Sequence, residues 1–373
     1  MALRVAILAP WGERLGGAEE MLWLALRHCD RDRLEPALVF LGPGPFVEEV
    51  SRLGIVAEVV PAGRLRQPRA TLGAVRGLAA TLRRLQPDLL LCWSAKAHIY
   101  GAPAARIAGM GDRVVWWQHQ IPDGHWIDRI ATVLPARAIG CSSDACRRAQ
   151  ETLRPRRPTF VVNPGIDLTA IRSGNAGGLR ERLGIPPGRA VAGIVGRLQP
   201  WKGQDRFLAA LAQLRREGLD VHGLLVGGDA YGRSPEYVAE LERMVGRLGL
   251  SDSVTLTGQV DDPTSYFELM DVAVNASQGE PFGIVLLEAM AAGVPVVAVG
   301  EGGPLDIVES GVTGTLVEDG RPQTLASAIG ALLADPEQRA LMSAAAERRC
   351  HERFGARQMA DRLGASLAEV GHG

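Results

Sequence analysis

The pattern of this chain predicts an α/β architecture of two doubly wound parallel-sheet domains, and three observations lead there. Short apolar, β-branched runs alternate with longer helical patterns, which implies parallel sheets with helices on both faces. The alternation happens twice, with a break at residues 163–189 that is rich in Gly, Pro and Asn and contains no strand pattern. The chain, at 373 residues, is too long for one ordinary core and suits two domains of about 150–200 residues each.

In the first half, strands are expected at 3–9, 36–41, 55–60, 88–93, 113–118, 137–141 and 159–162. Helices are expected between them at 18–28, 71–86, 97–108 and 143–153. The second half reads as strands at 190–195, 221–226, 253–256, 271–275, 294–299 and 314–317. Its helices read 203–216, 235–248, 283–292, 322–333 and 336–350. The boundary falls in the break, giving domains over 1–167 and 168–354. A last helix, 355–370 within the tail 355–373, has little left to pair with and is expected to pack back on the first domain. Two such domains would face across a cleft. Ligands of doubly wound sheets sit outside the carboxyl ends of the strands, so the functional residues are sought in loops that follow strands.

Composition narrows the function classes. Hydrophobic residues at 46% and charged residues at 22% describe an ordinary globular protein. A net charge of −1 gives no argument for nucleic acid. The charge is uneven: residues 1–167 hold 22 Lys+Arg against 16 Asp+Glu, and residues 168–373 hold 19 against 26. The basic half suits an anionic acceptor or a peripheral contact with an anionic membrane surface; a solvated, arginine-rich face is the plainer reading. Only two of the 41 basic residues are lysine, Lys96 and Lys202, so a lysine carries more information than usual. The five cysteines are odd in number and form no CxxC pair, a reducing-compartment pattern. No apolar run reaches the roughly 18 residues of a membrane span, and the N-terminal apolar run is too short for a signal peptide. The expected location is the cytoplasm.

Three stretches of the second half carry chemistry. "VAGIVGRLQPWKGQDRFLAAL", residues 191–211, reads strand, loop, helix. Gly196, Arg197 and Lys202 put two cations beside flexible glycines at a helix N-terminus, which suits a diphosphate. The spacing is not that of a P-loop. "GQVDDP", residues 258–263, follows a strand and could receive a nucleobase through backbone groups. Its Asp261 and Asp262 lack a third candidate ligand for a metal.

"EPFGIVLLE", residues 280–288, places Glu280 before a helix expected to begin near Gly283, and Glu288 inside it among apolar neighbours. A buried, unpaired carboxylate is costly, so both glutamates either reach solvent or face a polar ligand. Were the segment helical throughout, eight steps would separate them by roughly 12 Å, about the span from sugar ring to ribose in a nucleotide-sugar. Glu280 would then accept from sugar hydroxyls and Glu288 from the ribose diol. Arg197, Lys202 and the helix amides would meet the phosphates between them.

These segments resemble the GT4 family of retaining glycosyltransferases with the GT-B fold, two Rossmann-like domains facing across a cleft. "EPFGIVLLE" matches the family's Glu-x7-Glu motif, "LGGAEEML" (15–22) its Gly-Gly loop and "GRLQPWKG" (196–203) its phosphate segment. The stretch 289–317 continues in the same manner, and the resemblance covers nearly the whole chain. Two departures stand out: "NPGID" (163–167) where Asn-Gly-Ile/Val-Asp is usual, and Asp306 where many relatives have Glu.

The resemblance implies a donor held by the second domain and an acceptor held by the first. Implied donor contacts are Gly196, Arg197, Lys202, Val260, Glu280, Phe282, Gly283, Ile284 and Glu288, together with Gly16 and Gly17. The glycines of that pair would let backbone amides approach the diphosphate. His119, at the end of the strand in "RVVWWQHQIPDGHW" (113–126), is implied to act near the donor sugar. His119, Glu280, Arg197 and Lys202 form the expected catalytic set. Trp116, Trp117 and Trp126 could stack on an acceptor or serve the core.

The expected reaction moves a sugar from a UDP- or GDP-sugar to an acceptor hydroxyl of a glycan, lipid or small molecule, with retention. The nucleotide-sugar is a co-substrate, no cofactor is implied, and no metal is expected. The only Asp-x-Asp run, Asp30 to Asp32, sits at a helix end away from the site. A sugar-nucleotide epimerase and a non-catalytic nucleotide-sugar-binding protein are the alternatives. The loop 63–70, "GRLRQPRA", is the candidate acceptor contact.

Overall fold

Seven strands build the first sheet and six the second, all parallel. The computed structural model describes every residue except 1, 15, 64–66, 172–177, 230, 231, 233 and 373. The chain divides into two units, Met1–Gly165 with Ala356–Gly373, and Ile166–Gly355.

The first unit runs β1 (Leu3–Ala9), α1 (Gly17–His28), β2 (Leu34–Phe40), α2 (Pro45–Arg52), β3 (Val56–Val59), α3 (Pro68–Leu85) and β4 (Leu89–Cys92). It continues with α4 (Ala95–Ile107), β5 (Val114–Gln118), α5 (Trp126–Val133), β6 (Ala138–Cys141), α6 (Asp144–Thr152) and β7 (Thr159–Val161). The strand order is β3-β2-β1-β4-β5-β6-β7, so the winding reverses between β1 and β4. The period of two in β1 explains its place at the centre. Val5, Ile7 and Ala9 join one core with Leu22 of α1 and Phe46 of α2. Ala6 and Leu8 join the other, with Leu78 and Leu82 of α3 and Tyr100 of α4. Ser94 caps α4 by accepting from the Ala97 amide at 3.1 Å, and Ser143 caps α6 by accepting from Cys146 at 3.1 Å.

The second unit holds α7 (Leu168–Ile171), α8 (Leu179–Arg182), β8 (Ala190–Val195), a 3₁₀ turn (Pro200–Lys202), α9 (Gln204–Arg216), β9 (Val221–Val226), α10 (Pro235–Arg247) and β10 (Val254–Leu256). After these come α11 (Thr264–Phe267), β11 (Val272–Asn275), α12 (Ile284–Ala291), β12 (Val296–Val299), α13 (Pro304–Ile307), β13 (Gly314–Val317), α14 (Pro322–Ala334) and α15 (Pro336–Arg353). The order β10-β9-β8-β11-β12-β13 reverses between β8 and β11. The last helix, α16 (Ala356–His372), belongs to the first unit: its Ala356, Met359, Leu363 and Leu367 enter the core that holds Val5 and Leu22.

The structure differs from the sequence reading mainly in short helices. α2 and α5 have eight residues each and bury only two apiece, too few to print a helical period. The break at 163–189 holds two single turns, α7 and α8, but no strand among its described residues. β12 starts at Val296 rather than 294, because Gly293 at φ 75° ends the preceding helix and Pro295 cannot donate to the ladder.

Candidate functional site

In the second unit, the switch between β8 and β11 gathers residues from the loops after both strands. β8 ends at Val195, and the 3₁₀ turn carries Lys202 back toward the sheet. Gly203 then opens α9 at φ 77°, where an added Cβ would lie 2.5 Å from the Ala276 carbonyl oxygen. Only glycine permits that approach. β11 ends at Asn275, and its loop delivers Glu280.

Lys202 Nζ lies 2.6 Å from Glu280 Oε2, with side-chain exposures of 15% and 6%. The ammonium also sits 4.2 Å from the centre of the Trp201 ring. Asn275 Nδ2 approaches the same carboxylate oxygen at 3.5 Å, and the Glu280 carbonyl accepts from the Gly303 amide at 2.8 Å. The buried carboxylate is therefore paired within the protein, a third outcome beside the two weighed from sequence. The expectation that Glu280 and Glu288 share one situation is corrected: Glu280 is buried, whereas Glu288 is partly exposed one turn inside α12. The segment is also not helical throughout, since the helix begins only at Ile284.

α12 opens from Gly283 at φ 99°. The amides of Gly283, Ile284 and Val285 donate to no acceptor among the described residues, so they remain available to an anion at the positive end of the helix. Phe282 departs from expectation. Its ring is buried in the core, 6.2 Å from Phe354, so only its backbone can serve a ligand. Gly196 and the partly exposed Arg197 lie on the loop after β8, and the Arg197 carbonyl accepts from Gln204 at 2.9 Å. Val260 lies after β10, partly buried against the core. Asp262 is occupied in starting α11: it accepts from the Thr264 amide at 2.9 Å and the Ser265 hydroxyl at 2.8 Å.

The first unit carries its own constellation at the carboxyl ends of β1, β4 and β5. Gly16 caps α1 at φ −165°, an extended conformation open to any residue, so its backbone shape does not require glycine. Leu15 of the same motif lies outside the described residues, as do 64–66 of the candidate acceptor loop. The neighbouring Gly63 carbonyl accepts from the Tyr100 hydroxyl at 2.8 Å.

His119 directly follows β5. Burial pushes its pKa down to about 3, the Trp93 backbone opposing, so the imidazole is neutral at ordinary pH. Its Nδ1 lies 3.3 Å from Ser142 Oγ, and that hydroxyl accepts from Trp117 Nε1 at 3.2 Å. The indole can only donate, and the hydroxyl keeps one proton and a second acceptor lone pair, so its contact with Nδ1 is compatible with either tautomer of the neutral ring. A neutral His119 can donate a hydrogen bond; it cannot supply positive charge.

Trp93, overlooked in the sequence, organises this region. Its ring meets His119 edge-on at 4.8 Å and stacks on Trp117 at 5.1 Å. Its Nε1 donates to the Ala18 carbonyl at 2.9 Å, fastening the start of α1. Trp116 and Trp117, the proposed stacking rings, are fully buried, while Trp126 stays exposed. His98 is buried flat against Trp116 at 5.3 Å.

Comparisons with known proteins match this geometry. The model described as "Glycosyltransferase Family 4" covers residues 15–170, and "Glycosyl transferases group 1" covers residues 178–349. The D-inositol 3-phosphate glycosyltransferase 2 of Catenulispora acidiphila is 40% identical over 186 residues, 48% of this chain and 43% of that protein. The D-inositol 3-phosphate glycosyltransferase of Thermobispora bispora is 36% identical over 221 residues, 58% of this chain and 51% of that protein. The chain thus spans about half the length of these curated relatives. The crystal structure of Anabaena Alr3699/HepE in complex with UDP-glucose has a TM-score of 0.84 at 29% identity, covering 98% of this chain and 100% of that one. Sucrose-phosphate synthase from Thermosynechococcus elongatus, with a TM-score of 0.80 at 21% identity, shares the fold. The two family models follow one another along the chain as the two parallel sheets do, and the chain belongs to the GT4 family of glycosyltransferases with the GT-B fold.

Proposed function

We propose that this chain transfers a sugar from a nucleoside-diphosphate sugar to an acceptor hydroxyl, with retention at the anomeric carbon. The observation that carries the reading is the Lys202–Glu280 pair at 2.6 Å, set at the β8/β11 switch beside the amides that open α12. The second unit holds the donor and the first the acceptor. A UDP-sugar is the favoured donor, supported by the Anabaena protein crystallised with UDP-glucose and with UDP. The inositol-phosphate relatives support a small hydroxylated acceptor.

In the reaction, the bond from the anomeric carbon to the diphosphate oxygen breaks and its electron pair stays on that oxygen. The acceptor oxygen bonds to the same face, and its proton passes to a phosphate oxygen of the leaving group. Lys202, Arg197 and the α12 amides meet the developing charge, and one such preorganised donor is worth about 2.7–4 kcal/mol. Lys202 is held in place by Glu280 and Trp201, so little reorganisation is needed. Glu280 Oε2 takes the ammonium, which leaves Oε1 to accept from sugar hydroxyls. Glu288 accepts from the ribose. His119, neutral in the first unit, acts as a hydrogen-bonding group without positive charge. These side chains supply the charge that the leaving group needs, so no metal is invoked, and EDTA should leave turnover unchanged. Five free cysteines, four of them buried, support a reducing, cytoplasmic setting.

The test is a panel of nucleotide-sugars scored by thermal stabilisation and by nucleoside diphosphate release, with the anomeric configuration of the product read by NMR. One UDP-sugar should raise the Tm and be turned over with retention, and Glu280→Gln should cut turnover about 10- to 100-fold through the loss of one charged hydrogen bond. A panel in which no nucleotide-sugar stabilises the protein would overturn the proposal.

A further inference from the structure

The surplus of basic residues in the first unit is not spread over its surface. Leu8, Cys92, Trp116 and Ile139 stand in register across β1, β4, β5 and β6, so they share one face of the sheet. α3 and α4 pack on that face around Leu8 and Cys92, and α5 and α6 pack on it around Trp116 and Ile139. α1, α2 and α16 cover the other face. The four helices of the first group carry nine Lys+Arg against three Asp+Glu; the three of the second carry four against six.

Apolar exposure follows the same division. Leu72 of α3, Ile107 of α4 and Trp126, Ile130 and Val133 of α5 are exposed, and no large hydrophobic side chain of α1, α2 or α16 is, among the described residues. Trp126, Ile130 and Val133 recur at one-turn spacing along one side of α5, with Trp126 53% and Val133 74% exposed. That helix buries only Ala131 and Thr132. Water gives no reason for such a side, since the solvated face of a helix carries polar residues.

Exposed arginines stand next to these groups. Arg69 and Arg76 flank Leu72 one turn away on either side, Arg106 precedes Ile107 and Arg129 precedes Ile130. None of the four has a carboxylate within ion-pair distance among the described residues, whereas Arg84 holds Glu58, and Arg147 holds Asp144 and Glu151. Apolar anchors beside unpaired guanidinium groups match a surface that is anionic above and apolar below, the boundary of an anionic bilayer. A folded protein partner would need an acid set against each guanidinium; a fluid lipid surface brings a phosphate to each one. Tryptophan suits that boundary, with its apolar ring and single N–H donor. Among the described residues no helix is long and apolar enough to cross a membrane, so the contact is made from one side.

We propose that the face of the first unit formed by α3, α4 and α5 docks on an anionic lipid bilayer, with Trp126, Ile130 and Val133 inserted below the headgroups and the arginines on the lipid phosphates. The surface does not rest on the transferase reading, which the nucleotide-sugar panel tests separately.

Sedimentation of the full chain would use vesicles of phosphatidylcholine alone, or of phosphatidylcholine with phosphatidylglycerol. The protein should pellet with the anionic vesicles and stay in solution with the neutral ones, and added salt should weaken the binding. Trp126→Ser combined with Val133→Ser should weaken it about tenfold or more. Arg76→Gln combined with Arg106→Gln should also weaken it about tenfold or more. Arg52→Met on α2, at an exposed pair with Glu48, should leave it unchanged. Brominated acyl chains report insertion without a disruptive change: they should quench the tryptophan fluorescence of the native chain and of Trp11→Phe, but not that of Trp126→Phe, which still binds. Heparin, a polyanion without a bilayer, should bind the native chain and the α5 variant alike, because it offers the apolar anchors nothing. Equal binding to neutral and anionic vesicles, anionic binding indifferent to the α5 or the arginine variant, quenching that survives in Trp126→Phe, or no binding to any vesicle at low salt would overturn the surface. Heparin binding that falls with the α5 variant would assign the face to an acidic macromolecule instead and overturn it as well.

Discussion

Lys202 and Glu280 stand 78 positions apart and meet in a nearly closed environment. At that burial the pair is a different object from a surface ion pair: removing one partner strands the other charge and costs about 3–5 kcal/mol, whereas replacing both by apolar groups is often close to neutral. Lys202→Met should therefore destabilise the second unit as well as abolish transfer. Adding Glu280→Leu should recover most of the lost stability and none of the activity. Thermal unfolding of the two single variants and the double variant checks this; additive losses would show that the pair is not coupled. The residue types were legible from sequence because lysine is rare in this chain and because "EPFGIVLLE" is an unusual context for two carboxylates. Their contact was not, since it depends on β8 and β11 being neighbours. The same holds for Trp93, whose role appears only once β1, β4 and β5 lie side by side. A second consequence at this scale concerns pH. Burial holds His98 down at about 3, so the unfolded chain binds a proton near pH 6.5 that the folded chain refuses. Stability should be level above pH 6.5 and fall as pH drops toward 3, by about 1.4 kcal/mol per pH unit for this one group. His98→Phe keeps the stack on Trp116 and should make the fall in Tm between pH 6.5 and 4.5 shallower; an unchanged slope would refute the assignment.

Elements were read well wherever a side-chain period had room to print itself. All seven strands of the first sheet and all six of the second stand where apolar runs predicted them, within about two residues. α2 and α5 escaped because eight residues make barely two turns, and because α5 keeps Trp126, Ile130 and Val133 outward. The turn that precedes α9 shows how an element's first residue can govern a site. Gly203 is held at φ 77°, with the Ala276 carbonyl oxygen 2.5 Å from where a Cβ would stand. Gly203→Ala should cost about 1–3 kcal/mol in backbone strain, and the clash must push the 3₁₀ turn, and with it Lys202, away from β11. The expected result is a lower Tm together with weaker stabilisation by UDP. Gly246→Ala, inside α10 with open space around it, serves as the control and should be neutral or slightly stabilising. A Gly203→Ala protein that binds UDP normally would show that the turn does not position Lys202.

At the scale of the whole chain, the last seventeen residues of helix pack on the core of the first unit, although they follow the second unit in sequence. The sequence carried a hint of this, because the tail had no strand left to accompany. It could not name the acceptor face, since that depends on which strands of the first sheet lie together. α16 contributes Met359, Leu363 and Leu367 to the layer that also holds Val5, Leu22 and Phe40. Truncating a fully buried leucine costs about 2–5 kcal/mol through lost transfer energy and the cavity left behind. Leu367, at 1% exposure, is the sharpest probe. Two units of separate core need not melt together, and a single unfolding free energy would blur them, so local hydrogen exchange is the proper readout. Leu367→Ala should speed exchange of the β1 and β2 amides by an order of magnitude or more while those of β8 and β9 keep their rates. Glu369→Ala, on the exposed face of the same helix, should change neither set. Equal acceleration in both sheets, or none in β1, would mean that α16 does not stabilise the first sheet through the contacts that the structure assigns to it.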